Sequence, residues 1–445
     1  MINQPYLKVG IMAEKELSIS LLSEYREKNG PLLPVGLYHV EYTAGQISVT
    51  HESGMRVSGA SPEFIPMAEN AVFQVNQVTI GIDFHWEKKE DQQFTGGVQL
   101  IPEGENIRLI NVVKLEDYLK SVIASEMSST SSMSLLKAHA VISRSWLIAQ
   151  VGKREKLKAE SRFPNPVVTD DTYIKWYDRE DHDTFDVCAD DHCQRYHGIT
   201  KIHSPKALQA VMETSGEVLM FNGEICDARF SKCCGGISES FENAWEPVHH
   251  PYLTRIIDSE GDPQGFATGL RDEKSAETWI RNAPPAHCNT SDKQILSQVL
   301  PDFDQATSDF YRWKKEYTQE ELAGLIRKKS GHDFGDIIRL EPVERGFSGR
   351  LVKLRIVGTK KTVVVGKELE IRKWLSESHL YSSAFVVDYP GIHNTIPPKI
   401  RLTGAGWGHG VGLCQIGAAV MGEKGYSYRQ ILEHYFSGSS LHKQY

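Results

Sequence analysis

Between residues 8 and 98, apolar and polar positions alternate in short runs broken by glycine and asparagine, as in Tyr38-His39-Val40-Glu41-Tyr42 and Gln46-Ile47-Ser48-Val49-Thr50. A period of two marks half-buried strands, so this part of the chain is expected to be β-rich. The period changes at Leu115. Leu115, Leu119, Val122 and Ile123 fall at helical spacing, and after a serine-rich break residues 135–149 are apolar and alanine-rich. This predicts two helices joined by a polar turn. Farther on, charged helical runs around 314–329 precede strand-like runs near 350–365, the pattern of an inserted α+β subdomain. Residues 401–445 open with a glycine-rich loop and continue into two short helices. The expected organisation is α+β: a β-rich N-terminal region at 1–98, a core with the helix pair at 99–270, the insert at 271–375, and a segment at 376–445 that completes the core.

Composition narrows the function classes. A chain of 445 residues with 40% hydrophobic content can bury substantial cores without staples. The net charge of −8 provides no field for phosphates, which argues against a nucleic-acid partner. The densest basic cluster, Lys153, Arg154, Lys156 and Lys158, is interrupted by Glu155 and reads as a solvated helix end. No run of eighteen apolar residues exists, so no transmembrane segment is expected. Met1-Ile2-Asn3-Gln4-Pro5 lacks the charged and apolar parts of an export signal. The seven cysteines are odd in number and crowd the middle of the chain, unlike a disulfide framework.

On the first helix, Leu119, Val122 and Glu126 follow Leu115 by four, seven and eleven residues and share one stripe. Glu126 thus continues an apolar face and sits at the helix C-terminus, where burial and the negative pole of the macrodipole both favour a protonated acid. Such a carboxyl suits a general acid, and the competing reading is a helix-end glutamate turned to water. On the second helix Lys137 and Arg144 are seven residues apart and face the same way, roughly 10 Å apart along the axis. They read either as an ion-pair network in a cleft or as snorkelling surface cations. His139 points elsewhere and reads as structural.

These residues resemble the stage II sporulation protein D family, which includes the amidase enhancers. The shared words are Tyr118-Leu119, Ser125-Glu126-Met127, the run from Leu136 through Val141, and Ser143-Arg144-Ser145. A second match runs from Ala228 to Gly236, then Glu242-Asn243-Ala244-Trp245 and Pro251-Tyr252-Leu253, although Cys233 and Cys234 stand where the family usually carries serine. The third is the glycine-rich stretch from Gly404 to Ala418, which contains Trp407, His409 and Gln415. Its glycines fit neither the dinucleotide nor the P-loop pattern. An aromatic face and a polar ring on a glycine backbone suit a sugar, and the alternative is a tight packing corner.

The resemblance implies a helical catalytic core around a glycan cleft and lytic transglycosylase activity on peptidoglycan, with Glu126 as sole acid and base. It places Lys137, Arg144, Lys232, Trp407, His409 and Gln415 on the substrate. It implies glycan strands, preferably without stem peptides, and a cell-wall amidase as partners. The expected location is extracytoplasmic, with the export signal outside this chain. The rival reading is a non-catalytic wall-binding amidase enhancer, and a remoter one is a thiol hydrolase using Cys233 or Cys414. His182, Cys188, His192, Cys193 and His197 fall within sixteen residues, and the resemblance selects His182, Cys188, His192 and Cys193 as a structural zinc set, with buried small side chains as the alternative.

Overall fold

The computed structural model describes residues 4–81, 87–128, 130–160, 166–176, 182–190, 192–202, 204–262, 269–299, 309–392 and 395–445. Side chains of 154–160 lie outside the description, and with them those of Arg154, Lys156 and Lys158. So does Ser129 in the serine-rich turn. The fold is mixed α+β with a β-rich N-terminal part. The chain divides into two compact units: Met1–Ser129 with Glu180–Glu217 and Lys443–Tyr445, and Thr130–Arg179 with Val218–His442. Residues 271–375 fall wholly within the second.

In the first unit the alternating pattern forms two sheets. One is seven-stranded, with Tyr6–Glu14 paired antiparallel to Asn106–Lys114 and parallel to Val187–Cys188. The other is six-stranded and contains Gly36–Thr43 and Gln46–His51, paired as the alternation predicts. Val40 and Val49 stand opposite each other and are fully buried, while Glu41 is exposed. Helix α1, Leu115–Glu126, follows directly from the strand Asn106–Lys114. Glu116 and Asp117 occupy its first turn, where the macrodipole favours them, and Leu115, Leu119, Val122 and Ile123 form its buried face.

The second unit begins with helix α2, Met133–Glu160. The helix expected around 314–329 starts only at Gln319, because residues 314–318 belong to the strand Arg312–Thr318 paired to Lys399–Ala405. Trp313 and Tyr317 are the buried residues of that strand, a four-residue spacing that fits both periods. Thr318 then stops the strand and starts the helix through a capping box with Glu321. The strands Leu351–Gly358 and Thr362–Gly366 pair as expected near 350–365. Among the described residues no helix is long and apolar enough to cross a membrane.

Candidate functional site

In the first unit, Glu126 is the last residue of α1 and is half-buried, less enclosed than the apolar stripe predicts. Its Oε1 accepts the backbone N–H of Arg195 at 3.3 Å. The loop carrying Arg195 is clamped to α1 on either side of that contact. The Tyr118 hydroxyl approaches Gln194 Oε1 at 3.5 Å, and the N–H of His197 donates to Ser121 Oγ at 3.1 Å. Tyr196 stacks on Tyr118 with ring centroids 4.9 Å apart, and its hydroxyl donates to Asn111 Oδ1 at 2.6 Å. Asn111 is fixed in turn by the carbonyls of Thr95 and Gly97. Glu126 is therefore held by residues 194–197, a dependence that sequence periodicity does not carry.

Residues 194–197 follow immediately on the cysteine and histidine set. Cys193 Sγ lies 3.5 Å from His182 Nε2 and 3.5 Å from His192 Nδ1, and Cys188 Sγ lies 3.9 Å from His192 Nδ1. A tetrahedral zinc with Zn–S near 2.3 Å and Zn–N near 2.05 Å would set a sulfur–nitrogen edge of about 3.6 Å. The donor set and spacing thus fit that ion, and Val187–Cys188 is anchored to the sheet by pairing with Val9 and Gly10. The Cys188 thiol is held well below its usual range, first by its hydrogen bond with Cys193. His197 is left out of the set, and burial pushes its ring down to about 4.

The second unit holds the other expected residues. On α2, Lys137 is half-buried with its ammonium 5.7 Å from the centroid of the Tyr428 ring. Arg144 has 0% exposure and reaches the carbonyl of Ala140 at 3.5 Å. It belongs to the interior packing of its helix and offers no surface to a polymer. His139 is buried, as expected of a structural histidine, with Nδ1 on Ser143 Oγ at 3.2 Å and Nε2 at 3.1 Å from the amide nitrogen of Gln415. Gln415 itself is 2% exposed and its amide is committed to that ring. Lys232 donates to the carbonyl of Val299 at 2.6 Å.

The glycine-rich stretch is a supported loop. Trp407 pairs backbone to backbone with Cys233 (2.8 and 3.1 Å), and its half-buried ring stacks on Phe310 at 4.6 Å and meets Tyr381 edge-on at 4.7 Å. His409 Nδ1 accepts the N–H of Val411 at 3.0 Å, and its ring meets Trp245 at 5.1 Å. Burial, reinforced by Arg229, holds His409 neutral well below its usual range. Beneath the loop lies a network that the sequence reading missed. The Arg350 guanidinium donates to the carbonyls of Gly408 and Cys234 and to Ser348 Oγ, and Ser348 donates to buried Glu239 at 2.6 Å. Gly410 has φ +75°, and a Cβ there would lie 2.4 Å from Arg350 Cζ. Gly410→Ala is expected to cost about 2–5 kcal/mol, from left-handed backbone plus overpacking, measured by denaturant unfolding. Cys233 and Cys414 are both fully buried, so neither presents a nucleophile to a polymer.

His139 also sets an acid limit. Burial, with Lys232 nearby, pushes its pKa down to about 3. The unfolded chain takes up this proton near pH 6.5, so the contribution is complete above that pH and is lost as pH falls toward 3. Unfolding titrations should show a loss of up to about 1.4 kcal/mol per pH unit from this group, and His139→Asn should flatten that limb.

Comparison with known proteins adds the family. Residues 103–221 match the family model described as stage II sporulation protein, and residues 239–412 match a domain of unknown function. An uncharacterized protein of Brachyspira hyodysenteriae is 24% identical over 392 residues, 86% of this chain and 84% of its own length. The amidase enhancer of Bacillus subtilis is 25% identical over 327 residues, 73% of this chain and 40% of its own. Stage II sporulation protein D of Bacillus amyloliquefaciens is 23% identical over 331 residues, 74% of each chain. Glu126, Lys137, Arg144 and all four residues of the cysteine and histidine set lie inside the sporulation-protein match. Residues 103–221, which hold the helix pair and the cysteine and histidine loop, are thus a stage II sporulation protein domain, and relatives named stage II sporulation protein D and amidase enhancer are similar over about three quarters of the chain.

Proposed function

We propose that this chain is a lytic transglycosylase of the cell envelope that cleaves the bond between N-acetylmuramic acid and N-acetylglucosamine in peptidoglycan, leaving 1,6-anhydro ends. The observation that carries the reading is Glu126: a carboxyl at a helix end, half exposed, with one oxygen held by a backbone N–H from a braced loop. It is positioned and accessible, the two requirements of a general acid. Glu126 gives its proton to the glycosidic oxygen as the bond from the muramic C1 breaks. The C6 hydroxyl of the same sugar then closes on C1 and returns its proton to Glu126. One carboxyl suffices where most glycosidases need two, because the intramolecular hydroxyl is already held near the reacting carbon.

His182, Cys188, His192 and Cys193 would hold a zinc ion whose chemistry is structural, with four protein ligands filling its positions. Their part in the reaction is to keep Arg195 against Glu126. Half-buried Lys137 and Trp407, with Lys232 and His409, are assigned to glycan, and buried Arg144 and Gln415 to positioning. The preferred substrate is glycan stripped of stem peptides.

The amidase enhancer among the relatives supports a second reading, in which the chain binds wall and stimulates an amidase without cutting glycan. Incubating purified glycan strands with this protein alone, and intact wall with this protein plus a cell-wall amidase, separates the two. New glycan ends from the protein alone are the expected result. Faster peptide release by the amidase with no new glycan ends would replace the enzyme reading by the enhancer one.

A further inference from the structure

Five of the seven cysteines lie outside the histidine loop, and four of these gather at one place in the second unit. Cys233, Cys234, Cys288 and Cys414 come from three segments distant in sequence, and all are buried. Cys234 Sγ lies 3.6 Å from Cys288 Sγ and 3.5 Å from Asp258 Oδ2. The ligand atoms of Cys234, Asp258, Cys288 and Cys414 all lie within 4.8 Å of one another. A disulfide draws two sulfurs to about 2.05 Å. A tetrahedral zinc ion, with Zn–S near 2.3 Å and Zn–O near 2.1 Å, sets a sulfur–sulfur edge of about 3.8 Å and a sulfur–oxygen edge of about 3.6 Å. The observed spacings match the second geometry.

We propose that Cys234, Asp258, Cys288 and Cys414 bind a structural zinc ion at the base of the glycine-rich loop. The surroundings are those of a metal centre. Cys414 caps the helix Gln415–Glu423, and its sulfur accepts the N–H groups of Cys234 at 3.2 Å and Gly417 at 3.5 Å, donors that stabilise a thiolate. Asp258 is 1% exposed; Tyr435 donates to its Oδ1 at 2.6 Å and the N–H of Cys288 to its Oδ2 at 3.1 Å. Outer hydrogen bonds of this kind orient a carboxylate ligand. A buried carboxylate among thiols is unfavourable by itself, and a divalent cation turns the same group of anions into a stable site.

The ion would tie three segments together. Cys414 continues the glycine-rich loop, and Ser231 pairs with it in a short parallel bridge of strands. The adjoining Cys233 exchanges both backbone hydrogen bonds with Trp407. A metal at this point therefore fixes the height of the Trp407 turn, and with four protein ligands it leaves no position for a reacting water. Cys233 stands beside the set and is not needed for it.

The test is the metal content of the full chain purified under reducing conditions. Cys288→Ser should lower bound zinc by one equivalent per chain relative to the wild type, and Cys233→Ser should leave it unchanged. Cobalt loaded into a Cys188→Ser background, which disables the histidine loop, should give the thiolate charge-transfer bands of a tetrahedral site, with a second loss of those bands when Cys288→Ser is added. Unchanged zinc in Cys288→Ser would overturn the proposal, as would a peptide pair linked through Cys234 and Cys288 in the non-reduced protein. Should Cys288→Ser be insoluble, the cobalt spectrum of the Cys188→Ser protein decides alone, and absence of thiolate bands rejects the site.

Discussion

Glu126→Gln is expected to keep its fold and lose about 10²–10⁴-fold in the release of anhydro-ended glycan, the range spanned by a single general acid. The substitution is close to isosteric. The amide oxygen can still accept the N–H of Arg195, so the tether at 3.3 Å survives and only the transferable proton is removed. The loss should fall on kcat rather than on KM, because a proton moved in the transition state contributes little to the bound ground state. Glu126→Asp retains the proton but draws it back by about 1.5 Å along the side chain, enough on its own to cost about 10²-fold in rate. Circular dichroism and thermal unfolding matching the wild type would show that neither effect comes from a damaged α1. Full activity in Glu126→Gln would remove this residue from the chemistry.

Cys193→Ser is expected to abolish the zinc binding proposed for the histidine loop and to lower activity by about 10²-fold, although Cys193 does not act on glycan in the proposed reaction. The route is short. Two residues beyond Cys193, the N–H of Arg195 reaches Glu126, and Gln194, Tyr196 and His197 bind the same helix. Freeing one end of that loop lets the carboxyl drift, and a misplacement of about 1 Å is enough for a loss of that size. Chelation of the wild type should give the same loss, and added zinc should restore the wild type while leaving Cys193→Ser impaired. A purely stabilising role would lower the unfolding temperature with kcat intact below that temperature, so kcat and unfolding are measured together.

Much of this was readable in the residues themselves. The N-terminal alternation is strand, because each sheet there has a face that must be buried, as Val40 and Val49 show. The helix pair follows from a 3.6-residue period strong enough to place Leu115, Leu119 and Val122 on one buried face. Periodicity failed where two periods coincide. Trp313 and Tyr317 are four apart, which suits a helix turn and also two steps along one strand face, and pairing with Lys399–Ala405 decides for the strand. For Arg144 periodicity left an enclosed cation and a surface one both open, and the side chain is buried. The bracing of Glu126 by Arg195 spans 69 residues, and the Cys234, Cys288 and Cys414 group draws on contacts up to 180 residues apart. Contacts over such distances leave no mark in local pattern. The resemblance proposed Glu126 as the acid, whereas the loop that holds its carboxylate emerged only from the fold.

Intramolecular ring closure at Glu126 separates the proposed transglycosylase from a hydrolase and from a protein that only binds glycan. Mass spectrometry of glycan strands digested in ¹⁸O-labelled water tests it most directly. New ends should be lighter by one water than a reducing muramic end and carry no label, with none formed by Glu126→Gln. Reducing ends that carry the label would mean hydrolysis by water, and an uncut polymer would mean no glycan cleavage; either result contradicts ring closure at Glu126.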